Sequence, residues 1–285
     1  MLKVTNLRKV YGSGETATEA IADLSFEIEK GEFVCIVGPS GAGKTTLLKT
    51  MSGLMAPTSG EVEIAGEKVV GPPEQMALVF QDYSRSLYPW MKVGENVAFP
   101  LRRKKMGKAE RKEVVEHAVE SVGLGASIDK YPWQLSGGMQ QRVAIARGLA
   151  YQPEVLLMDE PFASVDAQTR ADLEDLVLNV RHEYGVTVLF VTHDIDESVY
   201  MGDRVVILTG RPATVKEVLE VDLPRPRDQV ETKELPDFAH LRAHVYRAIK
   251  GSQGAGADNE SVDTDAAAAT GAGARREDRA EQVAG

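Results

Sequence analysis

Gly38-Pro39-Ser40-Gly41-Ala42-Gly43-Lys44-Thr45 fits the spacing G-x-x-x-x-G-K-[ST], directly after the apolar run Phe33-Val34-Cys35-Ile36-Val37 and before a helical pattern. Glycines at that spacing let backbone amides close around phosphate at the positive end of a helix. Lys44 adds a full charge, the Thr45 hydroxyl is a hard oxygen ligand suited to magnesium, and Thr46 continues the same turn. The segment predicts a nucleoside triphosphate site for ATP or GTP. Val155-Leu156-Leu157-Met158-Asp159-Glu160 then reads as a buried strand ending in two carboxylates. A parallel sheet presents such an end beside the phosphate loop, where Asp159 is placed to hold magnesium.

A second anion-binding pattern lies ninety residues on. In Leu135-Ser136-Gly137-Gly138-Met139-Gln140-Gln141-Arg142, amides and a hydroxyl sit at a helix start, yet one nucleotide does not need two such sites in one fold. Gln81 follows the strand Met76–Phe80 and His193 follows Val186–Thr192. Taken singly, Gln81 is a polar cap on a strand end, His193 a residue at a helix start, and Tyr11 a surface or core filler.

Taken together and in order, these motifs resemble the ATP-binding cassettes of ABC transporters over residues 1 to about 226. The resemblance implies an α/β fold of the P-loop NTPase class, with a RecA-like parallel sheet core, an antiparallel β lobe and an inserted helical subdomain at about 82–150. It implies ATP hydrolysis, with ATP and Mg²⁺ as cofactors. Glu160 would be the general base, Gln81 would reach magnesium and water, His193 would contact the γ-phosphate, and Tyr11 would stack on adenine. Ala163-Ser164-Val165-Asp166 departs from the usual Ser-Ala-Leu-Asp of the loop before the next helix, and leaves the role of Asp166 standing. Ser136 and Gly138 of one copy would cover the nucleotide held by another in a head-to-tail dimer. The implied partners are a second copy, transmembrane permease subunits and, indirectly, an extracytoplasmic substrate-binding protein, at the cytoplasmic face of the membrane. Ser86-Leu87-Tyr88-Pro89-Trp90, His193-Asp194-Ile195-Asp196-Glu197 and Thr209-Gly210-Arg211-Pro212-Ala213 are similar to stretches of the nitrate/sulfonate/taurine importer ATPases. An exporter, a lipoprotein-extraction ATPase or a cassette acting on nucleic acid or ribosomes remain alternatives within the same resemblance.

The elements that must position these groups follow from pattern. Short β-branched runs at Phe33–Val37, Met76–Phe80, Val155–Asp159, Val186–Thr192 and Arg204–Thr209 alternate with helices at Lys44–Ser52, Met139–Ala150, Ala167–Glu183 and Ile195–Met201, which predicts a largely parallel sheet. Leu2–Leu7, Leu24–Glu29 and Gly60–Ala65 read as the antiparallel lobe. Lys108–Val122 is a charged amphipathic helix of the insertion. Pro212–Asp222 reads as a further strand pair, and Phe238–Lys250 as a closing helix within an extension over 227–250. From 251 to 285 the composition is Ala, Gly and acid, which predicts a disordered tail. The loop Tyr83–Trp90 is aromatic and suits either a groove for a partner's helix or the core of the subdomain.

Bulk properties narrow the partners. The net charge of −10 argues against nucleic acid, and the run Arg102-Arg103-Lys104-Lys105 reads as a solvated turn. An acid excess also fits a protein adapted to a salt-rich cytoplasm. Cys35 is the single cysteine, sits in an apolar strand and reads as a buried hydrophobe in a reducing compartment. The first residues have no signal-peptide core, and no uncharged apolar run reaches about 18 residues, so a membrane role would come through a partner.

Overall fold

The protein is described by a computed structural model over residues 1–82 and 86–257. In chain order its elements are β1 (Leu2–Tyr11), β2 (Thr18–Ile28), β3 (Phe33–Val37), α1 (Lys44–Met51), β4 (Ser59–Ile64), β5 (Glu67–Lys68), β6 (Met76–Val79), α2 (Val93–Ala98), α3 (Lys108–Ser121), α4 (Gly137–Ala150), β7 (Val155–Asp159), α5 (Ala167–Tyr184), β8 (Thr187–Val191), α6 (Ile195–Met201), β9 (Arg204–Leu208), β10 (Val215–Glu220), α7 (Glu231–Glu234) and α8 (Pro236–Ala257). They form two sheets, ordered β2-β1-β4-β5 and β10-β9-β3-β8-β7-β6.

Every residue of β3, β7 and β8 is buried, as parallel strands covered on both faces must be. Alternate residues of these strands feed two separate cores. Phe33, Cys35, Leu156, Met158, Val188 and Phe190 pack with the helices of one side. Val34, Ile36, Leu157, Leu189 and Val191 pack with α1 and with Leu2, Val4, Leu24 and Ile28 of the antiparallel sheet. Because β3, β8 and β7 are parallel neighbours, their carboxyl ends lie side by side. Those ends lead directly into Gly38, Thr192-His193 and Glu160. The sheet order itself therefore gathers the candidate chemistry. Between β6 and β7 the described residues make only helices and turns, α2, α3 and α4 among them.

Three expectations change in detail. Pro212–Asp222 holds one strand, not a pair: β10 folds back antiparallel on β9, with Val215 opposite Leu208 and Glu220 opposite Arg204, and Ala213 makes a lone bridge to Ile21. The lobe strands are longer than the apolar runs suggested, because β1 and β2 remain paired out to Tyr11 and Thr18 through register shifts. The disordered tail was expected from residue 251, but α8 runs to Ala257. Lys216 Nζ donates to the Ala248 carbonyl (2.7 Å), and Ser252 Oγ donates to the same oxygen (2.9 Å), securing the helix past Lys250. The tail from residue 258 and residues 83–85 of the aromatic loop lie outside the described residues. Cys35 is fully buried, and burial raises its thiol pKa well above the ordinary value. No described helix is long and apolar enough to cross a membrane.

Candidate nucleotide site

The turn after β3 fits only a residue without a side chain at one key point. Gly43 has φ +83°, and a Cβ there would stand 2.9 Å from the Ala20 carbonyl oxygen of β2. Lys44 follows as the first residue of α1 and is buried. Its Nζ donates to the carbonyls of Gly38 (3.0 Å) and Pro39 (3.1 Å), both neutral acceptors. Burial lowers its pKa, while Glu160 and Asp159 pull in the opposite direction. A buried ammonium with three donors and two neutral partners is an incomplete arrangement. An anion supplied to the loop completes it.

Thr45 Oγ1 donates to Asp159 Oδ1 at 3.5 Å. Asp159 ends β7, and burial raises its carboxyl pKa, opposed by the bond from Thr45. One carboxylate beside one hydroxyl fits magnesium, which completes its shell with waters and phosphate oxygens. No group of three or more His, Cys, Asp or Glu side chains among the described residues forms a competing metal cage.

Glu160 adopts φ +43°, a left-handed conformation rare for a residue with a side chain. Its N–H is held by the Val191 carbonyl at 2.9 Å. Glu160 Oε2 accepts a hydrogen bond from Gln81 Nε2 at 3.4 Å and lies 3.1 Å from His193 Nδ1. Residues at the ends of three separate strands thus converge on one carboxylate. Behind His193, Thr192 Oγ1 donates to the buried Glu197 carboxylate at 2.5 Å, and Asp194 caps α6 by accepting from the amides of Asp196 and Glu197. Burial pushes the Glu197 pKa up to about 7.

A cavity of about 300 Å³ is lined by Tyr11, Ala20, Glu160, Arg211 and the loop from Ser40 to Thr46. Tyr11 Oη sits 3.1 Å from Thr46 Oγ1, which fixes the ring at the rim. Ala20 and Arg211 were not among the expected site residues. No local spacing marks them, because the β9–β10 hairpin brings Arg211 to the cavity from far along the chain.

Ser136, Gly138 and Asp166 do not line this cavity. They form a second cluster. Ser136 caps α4 by accepting from the Met139 N–H (3.3 Å), and Asp166 caps α5 by accepting from the Thr169 N–H (3.0 Å). The two helix starts touch: a Cβ on Gly138 would lie 2.3 Å from Thr169 Cγ2. Ser136 and Asp166 are both exposed.

The described part of the aromatic loop is buried in one place and exposed in another. Leu87 is buried in the subdomain, while Trp90 is 69% exposed. Tyr88 packs 4.5 Å from Phe99 and, with Pro100, Arg147 and Tyr151, lines a second cavity of about 320 Å³. The loop is held by a buried residue that sequence patterns did not single out. Asn96 Oδ1 accepts from the Tyr88 N–H (2.8 Å), and its Nδ2 donates to the carbonyls of Tyr88 and Met91.

The family profile described as ABC transporter matches residues 21–163. The chain is 48% identical over 249 residues to an uncharacterized ABC transporter ATP-binding protein of Methanocaldococcus jannaschii, covering 87% of this chain and 91% of that one. It is 45% identical over 255 residues to the nitrate import ATP-binding protein NrtC of Synechococcus elongatus, covering 87% of this chain but only 38% of that longer relative. Among solved structures, a dimeric ATP-binding cassette in a post-hydrolysis state, bound to ADP and Pi, superposes with a TM-score of 0.67. It is 34% identical, and the match covers 78% of this chain and 99% of that one.

Proposed function

The chain belongs to the ABC transporter family, and from that premise we propose that it is the ATP-hydrolysing subunit of a membrane importer. The solute is a small one of the nitrate/sulfonate/taurine type, and nitrate is the member supported by a relative's name. One observation carries the reading: two helix starts able to aim amides at an anion stand apart, with Lys44 opening α1 in the cavity and Ser136 capping α4 outside it, against the start of α5. A single copy therefore offers half of two sites. Two copies set head to tail make two whole ones.

In this scheme Lys44 and the amides from Gly38 to Thr46 hold the triphosphate. Thr45, Asp159 and Gln81 would hold magnesium, which when bound neutralises phosphate charge. Glu160 accepts the proton of the attacking water, and Gln81 and His193 keep its carboxylate aimed at that position. The Ser136 hydroxyl and the amide of Gly138 from the second copy close over the γ-phosphate, with Asp166 at the same face. Loss of that phosphate removes contacts made only in the closed pair, so hydrolysis opens it. The Tyr88 cavity and exposed Trp90 suit a helix of a permease subunit, which makes the chain peripheral to the membrane at its cytoplasmic face. An extracytoplasmic binding protein would deliver the solute.

The test is to isolate a tagged chain from membranes and reconstitute what comes with it in vesicles. A permease pair should co-purify, and nitrate-loaded binding protein outside should raise ATP hydrolysis inside. Recovery with nucleic acid and no integral membrane protein would overturn the reading.

A further inference from the structure

Arg211 lines the same cavity as Lys44 and Tyr11 but stands at its exposed rim, whereas Lys44 is buried at its floor. Its position is built. The turn that carries it, between β9 and β10, is closed by the Thr209 N–H donating to the Thr214 carbonyl (3.0 Å) and the Thr214 N–H donating to Thr209 Oγ1 (2.9 Å). Two residues on, Ala213 is bonded to β2 in both directions: its N–H donates to the Ala20 carbonyl, and the Ala22 N–H donates to its carbonyl, each at 3.0 Å. Ala20 is also the residue against which Gly43 packs. The arginine is thereby tied to the phosphate loop through β2, and β2 pairs with β1 where Tyr11 faces Thr18.

Arg211 forms no ion pair among the described residues, in a chain with ten more acidic than basic side chains. Arg8, Arg170, Arg181, Arg204, Arg225 and Arg242 each hold a carboxylate. Lys9 Nζ lies over one face of the Tyr11 ring at 5.5 Å from its centroid, so a base would stack on the other face. We propose that Arg211 is a nucleotide-recognition residue whose planar guanidinium packs on the base and ribose end of the bound nucleotide, across the cavity from Tyr11. The floor already supplies a lysine and a ring of amides to the phosphates, which leaves the rim for the nucleoside. The inference rests on the reading of this cavity as an ATP site.

The experiment is calorimetric binding of ATP and of inorganic tripolyphosphate to the full chain, comparing wild type with Arg211→Ala, Arg211→Lys and Tyr11→Ala, with melting curves as the folding control. Arg211→Ala should weaken ATP about tenfold and leave tripolyphosphate within about twofold. Arg211→Lys should recover only part of the loss, because an ammonium lacks the planar face. The Arg211 and Tyr11 effects should be non-additive in the double variant. Equal losses for ATP and tripolyphosphate would make Arg211 a phosphate ligand and overturn the proposal, as would ATP binding unchanged in Arg211→Ala. Wild-type protein that binds neither probe would overturn the cavity's reading along with the inference.

Discussion

At the scale of single residues, Glu160 draws together the most distant parts of the sequence. Its unusual φ of +43° turns the carboxylate toward Gln81 and His193, so the strain there is matched by the contacts it produces. Glu160→Gln should keep nucleotide binding and slow turnover by about 10²–10⁴, read by steady-state hydrolysis and by accumulation of dimer on a sizing column with ATP. Unaltered turnover would remove the residue from its assigned role. Glu197, beneath the His193 turn, makes a second prediction. Its pKa is raised from the usual 4.5 to about 7, chiefly by burial. A carboxyl of this kind is protonated in the folded chain and ionised in the unfolded one between those values. Its contribution to stability is therefore complete below pH 4.5 and is lost as pH rises through about 7. Glu197→Gln stays neutral throughout, so wild type should lose on the order of 3 kcal/mol relative to the variant between pH 4.5 and 8 in denaturant titrations. Parallel pH curves for the two proteins would refute it.

At the scale of elements, the site depends on a close approach that no motif states. Gly43 passes so near the Ala20 carbonyl that β2, part of the antiparallel lobe, sets the entry to α1. Gly43→Ala combines a left-handed backbone, costing about 1–2 kcal/mol, with a contact that must open, and should weaken ATP binding at least tenfold in calorimetry. Retained affinity would mean that the loop is free of β2. The phosphate loop, the β7 carboxylates and the strand ends at Gln81 and His193 were all legible in the sequence, because each depends on local backbone geometry and a short apolar run. Asn96 was not, and Arg211 stood only within a stretch similar to the importer ATPases, with no part in the site. Asn96 matters only because the Tyr88 turn folds over it, and Arg211 only because β10 returns along β9. The expected strand pair at Pro212–Asp222 failed for the same reason: the partner of β10 was already in the sheet.

At the scale of the whole molecule, the proposed function has the Lys44 cavity and the Ser136 cluster divide one reaction between copies. Lys44→Ala disables the cavity and Ser136→Arg disables the cluster at the start of α4. In a head-to-tail dimer a mixture of the two variants contains one intact site, made from Lys44 of one chain and Ser136 of the other. Each variant alone should be inactive, and the mixture should regain hydrolysis. Silence in a mixture of two folded variants would reject the arrangement.

The sequence by itself determined that this chain carries a phosphate loop on an α/β core and a second helix start of the same anion-binding pattern. Both are properties of contiguous residues, where glycine, a hydroxyl and a helix start are enough to aim amides at an anion. Only the tertiary structure decided that Gln81 and His193 both reach the Glu160 carboxylate, and that Arg211 lines the Lys44 cavity. Those outcomes depend on strand order and on the path of a hairpin, which are set by burial over the whole fold and leave no mark in local spacing.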